Sequence, residues 1–188
     1  MQPEFLSFSD KPEALMKPSV PEIAFLGRSN VGKSSLINTL VKQKIARTST
    51  TPGRTQGLVF FKVRNNLIFV DFPGFGYART SKTLREQWAG LADGFYSTRR
   101  TLKGAVWIYD IRRDPDPLDH QMLEWLQHHK KPFCLILNKC DYLNRGKWTA
   151  RKKEIMSEMG LDEENVLVFS SKTREGAGAL WKWLDAKC

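Results

Sequence analysis

The sequence predicts a three-layer α/β domain. It has a six-stranded, mostly parallel sheet with one antiparallel edge strand, and helices on both faces. Three observations predict it. Strand-like and helix-like segments alternate along the chain, as in a sheet built through helical crossovers. Several strand candidates are unbroken apolar runs, which suits strands covered on both faces. The segment Gly27-Arg-Ser-Asn-Val-Gly-Lys-Ser34 stands between a strand candidate and a helix candidate, where a glycine-rich turn can wrap an anion.

Ile23–Leu26 is the first strand of this pattern. The helix Ser34–Lys44 follows, with Leu36, Ile37, Leu40 and Val41 at helical spacing. Leu58–Val63 and Leu67–Val70 are separated only by Arg64-Asn65-Asn66. So short a link predicts a hairpin and hence the antiparallel edge strand. A helix runs from Thr83 to about Ser97, and Ala105–Tyr109 is the next strand. Leu118–His129 is a helix that Asp116 can cap, with Pro117 in its first turn and a stripe of Leu118, Met122, Trp125 and Leu126. Phe133–Leu137 and Val166–Phe169 are the last strands, on either side of a basic amphipathic helix, Trp148–Met159. The final helix, Gly176–Lys187, puts Ala177, Leu180, Trp181 and Leu184 on one face, to pack on the sheet. No repeat, low-complexity tract or linker divides residues 1–188, which predicts one domain with residues 1–20 as an N-terminal extension.

The composition is globular, 41% hydrophobic and 27% charged, which excludes disorder throughout. The net charge of +10 and a pI near 9.7 point to a polyanionic partner, nucleic acid or an acidic membrane face. No apolar run is long enough to span a bilayer, and Met1 to Lys17 lacks the apolar core of a secretory signal. Cys134, Cys140 and Cys188 are odd in number and lack metal-site spacing. A reduced, cytoplasmic setting is therefore expected.

Gly27–Ser34 has the form G-x-x-x-x-G-K-[ST], a phosphate-binding loop. Its glycines admit close backbone approach, Lys33 can reach β- and γ-phosphates, and Ser34 offers a hydroxyl to Mg²⁺. Asp71-Phe-Pro-Gly74 ends a strand: the carboxylate can hold Mg²⁺ through water, and the bare Gly74 N–H can approach a γ-phosphate. Asn138-Lys139-Cys140-Asp141 ends another. The Asp141 carboxylate can accept from both N1–H and the 2-amino group of guanine, donors that adenine does not offer in that pattern. Asn138 can bridge to the phosphate loop, and the Lys139 stem can lie along the base. Ser170-Ser171-Lys172 follows the last strand, where a backbone N–H can reach the guanine carbonyl. Two long loops, the Thr/Ser-rich and polar Ala46–Gly57 and Phe72–Ser81 with Gly74 and Gly76, flank the phosphate site and are read as functional.

With these residues the chain resembles the EngB (YihA/YsxC) family, within the TrmE–Era–EngA–YihA–septin group of P-loop GTPases. Besides the loop through Asn38, Thr51-Pro-Gly-Arg-Thr-Gln56, Asp71 to Ala78 and Asp110-Ile-Arg112 carry the resemblance, which spans about residues 5–187. It implies a single-domain, Ras-like GTPase fold. It also implies a GTP/GDP switch in large-ribosomal-subunit assembly, with a link to cell division. The nucleotide site it implies runs through Gly27, Arg28, Ser29, Asn30, Val31, Gly32, Lys33, Ser34 and Ser35, then Gly53, Arg54, Thr55, Gln56 and Gly57. It continues through Asp71, Phe72, Pro73 and Gly74, then Asn138, Lys139, Cys140 and Asp141, and ends at Ser170, Ser171 and Lys172. Mg²⁺ falls to Ser34, Thr55 and, through water, Asp71, with Thr51 as the alternative switch threonine. Lys33, Thr55, Gly74 and Asn30 are the implied catalytic positions. Phe75 stands where Ras-like proteins have a water-orienting glutamine, and a phenyl ring cannot hydrogen-bond water. Slow hydrolysis is therefore expected. Asn30 resembles the asparagine that binds K⁺ in potassium-activated relatives. Arg28 and Arg54 are expected to make surface or partner contacts.

Arg145, Lys147, Arg151, Lys152 and Lys153, with Arg99, Arg100 and Lys103 elsewhere, form the basic surface. The resemblance points it at rRNA of the large subunit or its precursor, with the protein a monomer and no membrane partner. The alternatives are a nucleotide-dependent rRNA-binding module with negligible turnover, a septin-like assembly protein, and an ATPase, against which Asp141 argues.

Overall fold

Strands that are apolar at every position must be buried on both faces, and that requirement organises this molecule. A computed structural model describes residues 2–11, 14–47, 57–76 and 82–188. The strands are β1 (Glu4–Ser9), β2 (Glu22–Gly27), β3 (Leu58–Arg64), β4 (Leu67–Asp71), β5 (Leu102–Asp110), β6 (Phe133–Asn138) and β7 (Val166–Val168). They form one sheet in the order β1-β3-β4-β2-β5-β6-β7. β2 shows the two-sided burial: Ala24 and Leu26 join the apolar cluster on one face, Ile23 and Phe25 the cluster on the other.

Helices α2 (Lys82–Thr98), α3 (Pro117–His128) and α4 (Arg145–Met159) cover the first face, through Leu91, Phe95, Met122, Leu126 and Ile155. Helices α1 (Lys33–Val41) and α5 (Ala177–Asp185) cover the second, through Leu36, Ile37, Leu180 and Leu184. The start of α3 is fixed as its sequence requires. Asp116 accepts from the Leu118 and Asp119 N–H groups, the Asp119 side chain returns the bond to the Asp116 N–H, and Pro117 occupies the first turn.

The predicted three-layer class is the one found, with a correction at the edge. Among the described residues the sheet has seven strands rather than six. β3 is antiparallel to β4, as the hairpin predicts, but it is not the edge, because β1 pairs antiparallel on its far side. The other five strands are parallel neighbours, so Gly27, Asp71, Asp110, Asn138 and Val168 close their strands at the same end of the sheet. In open α/β sheets that end is where ligands bind.

Arg99 also departs from expectation. It is 5% exposed and makes a two-pronged pair with the fully buried Glu22, Nε to Oε2 and Nη2 to Oε1, each 2.8 Å. It therefore belongs to the interior and not to the basic surface.

Candidate nucleotide site

The phosphate loop leaves β2 at Gly27 and enters α1 at Lys33. Gly32 caps that helix with φ 99°, and its cap makes no side-chain bond to the first turn. Helix N–H groups left in this state are anion donors. A Cβ on Gly32 would also fall 2.5 Å from Asn138 Nδ2, so only glycine satisfies both the turn and its neighbour. Asn138, at the end of β6, donates from Nδ2 to the Val31 carbonyl at 2.9 Å. Lys139 Nζ reaches the Asn30 carbonyl at 3.0 Å and Asp110 Oδ2 at 3.0 Å. Two consecutive residues of the N-K-x-D turn thus tie it to the phosphate loop.

Lys33 Nζ and the Asp71 carboxylate form a buried ion pair inside this frame. Burial pushes the Asp71 carboxyl above its ordinary value, against the pull of Lys33. Ser34 is next in sequence and half-buried. Gly74 lies against the phosphate loop, so close that a Cβ there would be 3.0 Å from Ser29 Oγ. Phe75 turns its side chain into the core, 8% exposed, with its ring centroid 5.7 Å from that of Trp88.

The far end of the site is stitched in the same way. Cys140 N–H donates to the Phe169 carbonyl at 3.2 Å, and burial pushes the Cys140 thiol up to about 11. The Ser170 hydroxyl donates to Asp141 Oδ1 at 2.6 Å and accepts from the Lys172 and Thr173 N–H groups, each at 3.2 Å. A pocket of ≈ 600 Å³ opens beside this turn, lined by Ser35, Thr39, Lys44, Arg47, Ser171 and Lys172 among others. Asn138 Oδ1 and Ser171 Oγ are buried with no hydrogen-bond partner. Ser171 lines the pocket, and an orphaned polar atom there suits a polar ligand. A lysine-lined pocket beside an open helix N-terminus suits a polyphosphate.

A family model described as "50S ribosome-binding GTPase" matches residues 22–139. A probable GTP-binding protein EngB of Desulfatibacillum aliphaticivorans is 45% identical over 186 residues, covering 98% of this chain and 91% of the relative. The chain belongs to the EngB family of P-loop GTPases. A probable EngB of Citrifermentans bemidjiense is 42% identical over 186 residues, 98% of this chain and 87% of its own. The crystal structure of a probable EngB shares the fold with TM-score 0.73 at 22% identity, over 88% of this chain and 97% of that one. Era in complex with MgGDPNP and 16S rRNA nucleotides gives 0.72 at 23% identity, over 91% and 57%. As an EngB-family member the chain is a GTP-binding protein of a GTPase family, and no helix among its described residues is long and apolar enough to cross a membrane.

Part of the site expected of an EngB protein falls outside the described residues, and part makes contacts of its own within the fold. Gly53, Arg54, Thr55 and Gln56, with Thr51, lie outside the described residues. Gly57 packs against Ser9 and Phe8 of β1. Arg28 turns its guanidinium to the start of α3. Its Nη1 meets Asp116 Oδ2 at 2.5 Å and Asp119 Oδ2 at 3.6 Å. The basic helix face is also thinner than its sequence implies. Arg151 bonds Asp114 and Glu154 at 2.5 and 2.9 Å and the Ile111 carbonyl. Lys152 pairs with Glu163 at 3.2 Å. Arg145, Lys147 and Lys153 remain exposed.

Ser170 as a holder of Asp141, and Asp110 as a holder of Lys139, had no role in the motif reading. The signal for Asp110 was its place at the carboxyl end of β5. Burial raises its carboxyl pKa, but hydrogen bonds from Arg112 and Lys139 outweigh burial and bring it from 3.8 to about 2. A depressed carboxylate stabilises the fold above its unfolded pKa and loses that contribution as pH falls through the folded value. Wild type should therefore exceed Asp110→Asn by about 1–2 kcal/mol at pH 7. Urea unfolding should show the gap closing from about pH 4 to pH 2. A gap independent of pH would contradict the assignment.

Proposed function

We propose that this EngB-family protein is a slow GTPase that alternates between GTP and GDP forms in assembly of the large ribosomal subunit, with a link to cell division. One observation carries the reading. Asn138 joins the phosphate cradle to the turn bearing Asp141, so a base reader and a polyphosphate cradle share one frame. Lys33 exchanges its Asp71 partner for β- and γ-phosphate oxygens, and the Gly74 N–H meets the γ-phosphate. Ser34, Thr55 and, through water, Asp71 would hold Mg²⁺, and the ion would supply charge neutralisation across the phosphates. The donor set fits, because Mg²⁺ is commonly held by one or two protein groups together with substrate phosphates. Asn30 is the position through which K⁺ would add positive charge. GTP and water give GDP and phosphate.

The basic faces around Arg145, Lys147 and Lys153 meet rRNA of the large subunit or its precursor, with the protein a cytoplasmic monomer. The family's description as 50S ribosome-binding supports this partner, and such contacts weaken steeply with salt. The buried Phe75 ring favours a second reading, a nucleotide-dependent rRNA-binding module with negligible turnover. Single-turnover hydrolysis with and without large-subunit particles separates the two, run in KCl and in NaCl at equal ionic strength. We expect phosphate release that particles and K⁺ accelerate. Co-sedimentation with particles should be stronger for the triphosphate form. Binding that ignores the nucleotide would sink the switch.

A further inference from the structure

The ladder between β2 and the end of β4 does not continue regularly. Phe25 pairs with Asp71, and the Phe72 N–H donates to the Phe25 carbonyl at 3.1 Å. A regular parallel ladder would next give the Gly27 carbonyl to the Gly74 N–H. Here the Phe75 N–H takes that carbonyl at 3.3 Å, and the Phe75 carbonyl accepts from Ser29 N–H at 3.1 Å. Arg28 accordingly bridges Phe75. One extra residue has entered this side of the pair, which is a bulge. The displaced unit is the peptide between Pro73 and Gly74. Its nitrogen belongs to glycine and its carbonyl to proline, so the sheet no longer orients either.

Trp88 of α2 supplies what the sheet does not. Its indole N–H donates to the Pro73 carbonyl at 2.8 Å. There are no cis peptide bonds among the described residues, so this carbonyl and the Gly74 N–H are fixed in one plane and point opposite ways. Holding the carbonyl toward α2 therefore turns the N–H away from α2. Gly74 itself lies against Ser29 of the phosphate loop. The indole is firmly seated: Phe75 packs on it at 5.7 Å and Trp125 of α3 at 6.0 Å. Phe72, on the other side of the peptide, is gripped by Phe95 and Tyr96 of the same helix.

We infer that Trp88 is a positioning residue for the γ-phosphate. Its indole N–H sets the Pro73–Gly74 peptide so that the Gly74 N–H is presented to a nucleoside triphosphate. The inference rests on the nucleotide-site reading proposed above. It distinguishes triphosphate from diphosphate, because only the former carries the group that this N–H meets. A residue that merely packed would affect both nucleotides alike.

The test is calorimetric titration of wild type and Trp88→Phe with GDP and with GppNHp, both with Mg²⁺. Phenylalanine keeps a ring and removes the N–H. The expected result is GppNHp affinity about three- to tenfold weaker, the size of one lost neutral hydrogen bond. GDP affinity should stay within about twofold of wild type. If Trp88→Phe does not fold, benzothienylalanine placed at position 88 replaces the N–H by sulfur in nearly the same shape and takes the same titrations. Equal weakening of both nucleotides, no weakening of either, or tighter GppNHp binding overturns the positioning role while leaving the nucleotide site standing. Wild type that binds neither nucleotide removes the site and this inference together.

Discussion

Replacing Glu22 with alanine should lower the free energy of unfolding by about 3–5 kcal/mol, the cost of leaving a buried charge without its partner. Glu22 is fully buried at the start of the central strand β2. Both its oxygens receive Arg99 at 2.8 Å, and the Thr101 hydroxyl donates to Oε2 at 2.7 Å. The remaining Arg99 nitrogen, Nη1, donates to the Met16 carbonyl at 2.6 Å. The guanidinium also lies over the Phe60 and Phe95 rings, at 5.7 and 5.4 Å. Alanine leaves that guanidinium, 5% exposed, over apolar rings and bonded to the Met16 carbonyl but without a counter-charge. The pair as a whole need not stabilise the fold, because desolvating two ions offsets most of their attraction. Hence Glu22→Met with Arg99→Leu should recover most of the loss. Urea denaturation of the single and double variants reads this directly. A single variant within about 1 kcal/mol of wild type would show that the charge finds water, contrary to the packing around it.

The same pair shows which parts of the molecule the sequence discloses. Local signals were legible. β2 to β7 announced themselves through apolar runs, α3 through Asp116 and Pro117, and the phosphate loop through residues within one turn. β1 gave no such signal. Its Phe5 and Phe8 are 59% and 50% exposed, and a bulge between Phe5 and Ser7 breaks the twofold period. An alternation search therefore has nothing to detect. Arg99 looked like surface charge because its partner lies 77 residues away. The candidate site divides in the same way. The spacing of Gly27, Gly32, Lys33 and Asp141 was visible. The bonds Asn138 to Val31 and Ser170 to Asp141 were not, because they join segments that only the sheet order brings together, and Trp88 to Pro73 was not, because it depends on how α2 packs back over the end of β4. Arg151 and Lys152 were legible as charge but not as internal ion pairs, since composition carries no information about partners.

Asp141→Asn should weaken GDP binding by about four orders of magnitude and gain affinity for xanthosine diphosphate. The argument is one of donor count. An ionised carboxylate offers only acceptors, on about four lone-pair sites. Asp141 gives one of these to the Ser170 hydroxyl at 2.6 Å, which fixes the carboxylate and leaves acceptors for guanine N1–H and its 2-amino group. An asparagine amide presents one acceptor and one NH₂. Facing guanine, two donors then oppose each other, and a buried polar group is left unpaired. Xanthine keeps N1–H and replaces the amino group by an oxygen, which the new NH₂ can satisfy. The reversal separates base reading from a merely structural role, because a damaged fold loses both nucleotides. Titration of wild type and variant with both diphosphates gives the fourfold comparison. Undiminished GDP binding by the variant would mean that Asp141 does not meet the base. Loss of both without gain would mean that its bond to Ser170 serves only to hold the Ser170–Lys172 turn against the Asn138–Asp141 turn.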